Sequence, residues 1–391
     1  MGRSHMEKTA QRIHEIMEES IRSGEVAGCN LLALQDGDEV MYLEAGHADI
    51  RNDKKISRNS IFRLYSQTKP ITSAAVMLLL ERGKLDLMDD ISMYLPNFRH
   101  PKVYENGSDV PARRGITVMD LLGMTSGLCY PDADIPGQKM GELFEENQKK
   151  MDAGQGMSTI EFCDRMGSVP LSHQPGTNFR YGTSADVLGA IVEVVSGKKF
   201  GTFLREEFFE PLHMKDTGFY VKEREKDRLV TCYERAFGSD ANEMYREYEV
   251  RHLCIRDHAE EPAFQSGGAG LYSTLDDYAH FATMLLQGGK YGNTRILRRE
   301  TVEFMTQPQV DTTGWDNLTG YGYGKLMRIC TEPGKCQSLA KAGEYGWDGW
   351  LGTYFANFPK ENLTILLGQN TKDTGTGRLT RRIRNCIISQ L

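Results

Sequence analysis

The sequence of 391 residues is most informative at first through what it lacks. No stretch approaches the ~18 consecutive apolar residues that a membrane-spanning helix needs. Basic residues are not in excess: 47 Lys and Arg stand against 54 Asp and Glu, a net charge of -7. That balance gives no basic face for nucleic acid. The eight cysteines are scattered and none forms a C-x-x-C pair. They read as reduced, partly buried thiols, not as a disulfide frame or zinc site. Cys330 and Cys336 could meet across a hairpin. The nine histidines show no H-E-x-x-H or other ligand spacing, so neither a metal nor a cofactor is expected. G-x-S-x-G is absent, which argues against a Ser-His-Asp α/β-hydrolase. Gly267-Gly268-Ala269-Gly270 lacks the spacing and the lysine of a nucleotide loop and reads as a tight turn. Met1-Gly2-Arg3-Ser4-His5 read as an expression scar, and no apolar segment suited to secretion follows. The expectation is a cytoplasmic protein with a small-molecule substrate and no nucleic-acid or membrane partner. A homo-oligomer stays open.

What is present is a soluble-protein composition with β-type patterning at both ends. Residues 7–23 carry Ile13, Ile16, Met17 and Ile21 at helical spacing. Cys29 to Gln35 and Val40 to Gly46 read as strands around the turn Asp36-Gly37. Thr353 to Phe358 and Leu363 to Gly368 read as a second hairpin, and Arg378 to Gln390 as a last helix. The middle is helical and polar, including an apolar helix over Val187 to Val195. Residues 133–157 read as a mobile surface loop or lid edge, and residues 222–262 carry many charges with few periodic signals. The expected class is α/β (α+β): an antiparallel sheet built from both termini and flanked by the terminal helices, with a mainly helical unit inserted. The boundaries implied are 6–83 with 265–391 for the sheet unit and 84–264 for the insertion. A site should lie between them.

Ser66-Gln67-Thr68-Lys69 is an S-x-x-K at the start of a long apolar helix. On a helix, residues i and i+3 share a face, so hydroxyl and amine can meet. A serine hydroxyl needs a base, and a buried lysine can become one. Pro70 fits only near a helix start. The motif is weak alone, since Ser196 with Lys199 and Ser338 with Lys341 match it too. Ser196 precedes a glycine stop, however, and Ser338 lies on the approach to a strand. Two further elements follow Ser66 in order: Tyr181-Gly182-Thr183 and Trp347-Asp348-Gly349-Trp350.

Together these residues resemble class C β-lactamases and family VIII carboxylesterases, which share the penicillin-binding-protein fold. The resemblance runs through Ile61-Phe62-Arg63, Asp120-Leu121-Leu122 to Ser126-Gly127-Leu128, Phe209-Glu210-Pro211-Leu212, and Gly268-Ala269-Gly270-Leu271 with Asp277. It implies that Ser66 attacks a carbonyl and that Lys69 and Tyr181 share the base role. It also implies an oxyanion hole made by the N–H groups of Ser66 and Trp350, with Trp347, Asp348, Gly349 and Thr183 facing substrate. Three departures narrow the chemistry. Thr183 replaces the asparagine of Y-x-N. Trp347 replaces the lysine that meets a substrate carboxylate. Asp348 adds negative charge that Arg63 or Arg180 could compensate. The expectation is a serine carboxylesterase. Amide chemistry (a D-aminopeptidase, DD-peptidase or weak β-lactamase), acyl transfer, and a non-catalytic peptide-binding relative are the alternatives.

Overall fold

The computed structural model describes residues 3–236, 244–312 and 318–391. Part of the charged stretch 222–262 therefore lies outside the described residues. Helix α1 spans Arg3–Arg22 and so includes residues 3–5, read above as a scar. Strands β1 (Gly28–Gln35) and β2 (Asp38–Asp49) follow. The turn between them places Asp36 and Gly37 at φ 55° and 87°. Two successive left-handed residues are what a right-twisted two-residue hairpin demands. A short β3 (Lys54–Lys55) extends this edge.

The remaining sheet strands come from the far end of the chain: β4 (Val310–Asp311), β5 (Tyr321–Gly324), β6 (Met327–Cys330), β7 (Tyr345–Asp348), β8 (Tyr354–Phe358) and β9 (Leu363–Gln369). Among the described residues they form one nine-stranded sheet in the order β4-β5-β6-β7-β8-β9-β1-β2-β3. Every pairing is antiparallel. Strand β1 thus joins the two ends of the chain, pairing Leu32 with Leu366 of β9 and with Tyr42 of β2. Six of its residues are buried in succession, because both sheet faces are covered.

One face is covered by α1 and the last helix, α6 (Arg378–Ile388). There Ile13, Ile16 and Met17 pack with Leu379, Ile383 and Ile387 over Leu31, Ala33 and Ile365. The other face meets helices α2 (Lys69–Glu81) and α5 (Leu275–Leu286) and the larger core they share with α4 (Ser184–Ser196). Helix α4 ends at Gly197, whose φ of 70° forms the left-handed stop.

Residues 133–157 depart from the expectation of a loop. They contain helix α3, Ile135–Asp152, capped by the Asp134 carboxylate, with Pro136 in its first turn. Its solvated face made the segment look loop-like. Met140, Leu143, Phe144 and Asn147 nevertheless form a buried stripe at helical spacing. All eight cysteines are free. Cys330 and Cys336 bring their sulfurs to 3.7 Å, but Cys336 follows the turn Pro333–Lys335, not a hairpin strand. No helix among the described residues is long and apolar enough to cross a membrane.

Candidate active site

Ser66 does not open α2 directly. It sits in a 3-10 turn, Tyr65–Thr68, and the α-helix begins at Lys69 with Pro70 in its first turn. The turn is entered through Tyr65, whose φ of 44° is left-handed although it carries a side chain. Such a conformation costs about 1–3 kcal/mol and persists only where packing holds it. Here the ring is buried against Trp350, with centroids 5.5 Å apart. A 3-10 turn has three residues per turn, so i and i+3 eclipse. That stacks Lys69 on Ser66, with Nζ 3.1 Å from Oγ.

The other two S-x-x-K matches do not pair. Lys199 reaches Glu261, and Lys341 lies 3.9 Å from Glu361. Ser196 takes a hydrogen bond from the Lys198 N–H, and Ser338 takes one from Arg384.

Lys69 is fully buried. Its Nζ donates to the Gly268 carbonyl at 2.9 Å and lies 3.0 Å from the Tyr130 hydroxyl. Burial drives its pKa down to about 7, against the opposing pull of Asp186 and Asp348. A lysine so placed is substantially a free amine at neutral pH.

Tyr130 was missed in the sequence, where it follows the Ser126-Gly127-Leu128 segment with no motif of its own. It joins the site because Gly182 lacks a side chain. A Cβ there would lie 2.4 Å from the Leu128 carbonyl and 2.6 Å from Cys129 Cα. This close approach sets the Tyr130 and Tyr181 rings edge to face at 5.7 Å. Tyr181 also lies under Lys69, whose Nζ is 4.6 Å from its ring centroid. Burial pushes both phenols well above their ordinary pKa, so both are neutral. Hydrogen bonds from Ser66 and Trp347 pull the Tyr181 hydroxyl partly back.

The third element arrives on β7. Trp347 donates its indole N–H to the Tyr181 hydroxyl at 3.1 Å. Asp348 pairs with Arg328, a cation on β6 that is almost fully buried. The sequence had suggested Arg63 or Arg180 for this task. Arg63 instead holds Asp257, and Arg180 holds Asp132 and Asp134. Gly349 is wedged against the turn that carries Ser66: a Cβ there would lie 2.2 Å from the Leu64 carbonyl oxygen. Trp350 follows at once. Among the described residues, neither the Ser66 N–H nor the Trp350 N–H donates to a backbone carbonyl.

Thr183 departs from expectation. It is fully buried at the start of α4, and its hydroxyl has no hydrogen-bond partner. It presents no surface to a substrate. Gly349 is likewise buried and acts by closeness of backbone.

The profile of the Beta-lactamase family matches residues 9–385, and the chain belongs to that family. It is similar to esterase EstB of Burkholderia gladioli, at 26% identity over 97% of this chain and 95% of that protein. It is also similar to a putative D-alanyl-D-alanine carboxypeptidase of Escherichia coli, at 27% identity over 87% of this chain and 77% of that one. Among solved structures it resembles EstCE1, described as a hydrolase with promiscuous acyltransferase activity. The TM-score is 0.81 at 25% identity, covering 99% of both chains. The protein is accordingly a serine hydrolase of the β-lactamase fold.

Proposed function

We propose that the protein is a carboxylesterase that works through an acyl-enzyme on Ser66. Free Lys69 takes the Ser66 proton as Oγ attacks the ester carbonyl. The resulting oxyanion is received by the N–H groups of Ser66 and Trp350, each worth about 3–4 kcal/mol in such a state. Tyr181 is a neutral phenol, so it serves as a relay, not as the resting base. It gives its proton to the leaving alkoxide and recovers one from the Lys69 ammonium. Trp347 and the nearby ammonium stabilise the charge that passes through it. In deacylation the same relay runs with water as nucleophile.

The observation that carries the ester reading is Trp347 bonded to Tyr181 where relatives with carboxylate-bearing substrates place a lysine. Arg328, the cation against Trp347, is paired with Asp348, and Lys372, over Trp350, lies 3.7 Å from Glu234. A substrate carboxylate at Trp347 would meet Asp348, whose charge Arg328 already balances.

The test is a panel of p-nitrophenyl esters, nitrocefin and D-aminoacyl anilides on one preparation, with Ser66→Ala alongside. Fast ester turnover that is lost in Ser66→Ala is expected. Rapid nitrocefin or anilide turnover with inert esters would overturn the reading. Acyl transfer is the second reading, favoured by the likeness to EstCE1. An added alcohol acceptor raising product release without raising free acid would establish it.

A further inference from the structure

We propose that Asp186 is a positioning residue for Lys69, aiming it through the Gly268 backbone and facing it with a buried carboxyl group. The inference rests on the reading of Lys69 as the base for Ser66. Asp186 lies in the first turn of α4 and is 3% exposed. Its Oδ1 accepts from the Ser266 hydroxyl and from the Gly268 N–H at 3.1 Å. The Ser266 hydroxyl also accepts the Ala269 N–H at 2.9 Å, so the 266–269 turn is folded around one carboxylate oxygen. The Gly268 carbonyl then faces the other way and accepts from Lys69.

The turn is wedged in place. A Cβ on Gly267 would lie 2.3 Å from the Ala185 carbonyl, and its own carbonyl accepts from Thr72 of α2 at 2.6 Å. At Gly268 a Cβ would sit 3.0 Å from Asp186 Oδ2 and 3.1 Å from the Tyr130 oxygen. Carboxylate, phenol and amine are therefore neighbours around a single backbone unit.

That carbonyl constrains the amine's protons. A neutral amine has two protons and one lone pair. Gly268 can only accept, so it fixes one proton. The remaining proton and the lone pair are left for the two hydroxyls, Tyr130 and Ser66. Holding the carbonyl thus helps keep the lone pair available to Ser66. The charge acts as well. The groups facing Lys69 are Asp186, Asp348, Ser66, Tyr130 and Tyr181. Asp348 is spent on Arg328, which leaves Asp186 as the larger opposing charge against burial. Burial pushes the Asp186 carboxyl above its usual range, while the Ser266 hydroxyl, the Lys69 cation and the Gly268 N–H oppose it and favour the carboxylate; Tyr130 and Cys163 also face it.

Asp186→Asn separates the two roles. Its amide oxygen can still accept from Ser266 and Gly268, but the charge is gone. The ammonium form of Lys69 loses support, and its pKa falls.

The experiment follows the rate of Ser66 modification by a fluorophosphonate, read by intact mass across about pH 5 to 9, a range that brackets a lysine near neutrality. In Asp186→Asn the acid limb is expected at a pH lower by at least half a unit. A limb at the wild-type pH overturns the proposal, because a purely structural role would slow the reaction at every pH without moving the limb. Ser266→Ala keeps the charge and loosens the carboxylate; it serves if Asp186→Asn does not fold. A lower rate with the limb in place is expected there. An unchanged rate or a moved limb overturns the proposal. Failure of the underlying reading looks different: no adduct on the wild-type chain, or an undiminished adduct in Ser66→Ala, whatever Asp186→Asn does.

Discussion

Trp347 and Tyr181, 166 positions apart, share one hydrogen bond of 3.1 Å between an indole N–H and a phenol oxygen. The bond ties the sheet to the helical part of the molecule at the reacting centre. Trp347→Phe keeps a ring there and removes the donor. One hydrogen bond to a group that bears charge in the transition state is worth about 1.5–3 kcal/mol, or about 10- to 150-fold. Steady-state kinetics on a p-nitrophenyl ester should show that loss in kcat, with KM changed far less.

Ester turnover should rise with pH through an acid limb near 7, where Lys69 loses its proton. The sign follows from the site: below the limb the ammonium cannot accept the Ser66 proton, and above it the free amine can. A pH profile of kcat/KM on one ester checks this. A limb near the usual lysine value would mean that Lys69 is charged at rest.

Tyr130→Phe deletes the hydroxyl 3.0 Å from Lys69 and leaves the ring contact with Tyr181. Activity should fall by about 10- to 100-fold, the scale of one to two hydrogen-bond energies. The melting temperature should move little. Tyr181→Phe should cost more and should let acyl-enzyme build up, visible as a pre-steady-state burst and as added mass.

Gly182→Ala should weaken both fold and activity. The new methyl would drive the Leu128 carbonyl away, and overpacking of this kind costs about 1–3 kcal/mol. Thermal unfolding together with the Tyr181-dependent rate reads both effects.

Glu344 and Arg384 form an ion pair in which both side chains are at most 3% exposed, joining the approach to β7 to helix α6. Glu344→Gln leaves the guanidinium uncompensated, a loss of about 3–5 kcal/mol for a buried pair. Denaturant unfolding should show that loss.

The sheet and its terminal helices were legible because their periods are clean: alternation and turn residues at Asp36-Gly37, helical spacing at Ile13, Ile16 and Met17. Ser66 stood out in the sequence because, of the three S-x-x-K matches, it alone leads into a buried helix; the 3-10 turn that carries it left no separate signal. Tyr130 was not. Its place depends on the missing side chain of Gly182, some fifty residues on, and no local pattern records a contact of that kind. The pairing of Asp348 with Arg328 was hidden for the same reason, since it depends on how β6 and β7 come to lie side by side. Helix α3 was misread because polar composition was allowed to outweigh the spacing of Met140, Leu143, Phe144 and Asn147 and the cap at Asp134.

Strand β1 lies between β2, its immediate successor in the chain, and β9, which follows some three hundred residues later. On the ribosome the first hairpin must therefore stand with an open edge while some three hundred residues are added. Contacts of such long separation close slowly, and an unpaired apolar strand invites partners in the meantime. The same arrangement delays chemistry. Ser66 and Lys69 emerge early, but Trp347 and the Trp350 N–H come only with the final strands. Under the proposed assignment, a nascent or truncated chain carries Ser66 and Lys69 without their oxyanion support until the sheet has closed.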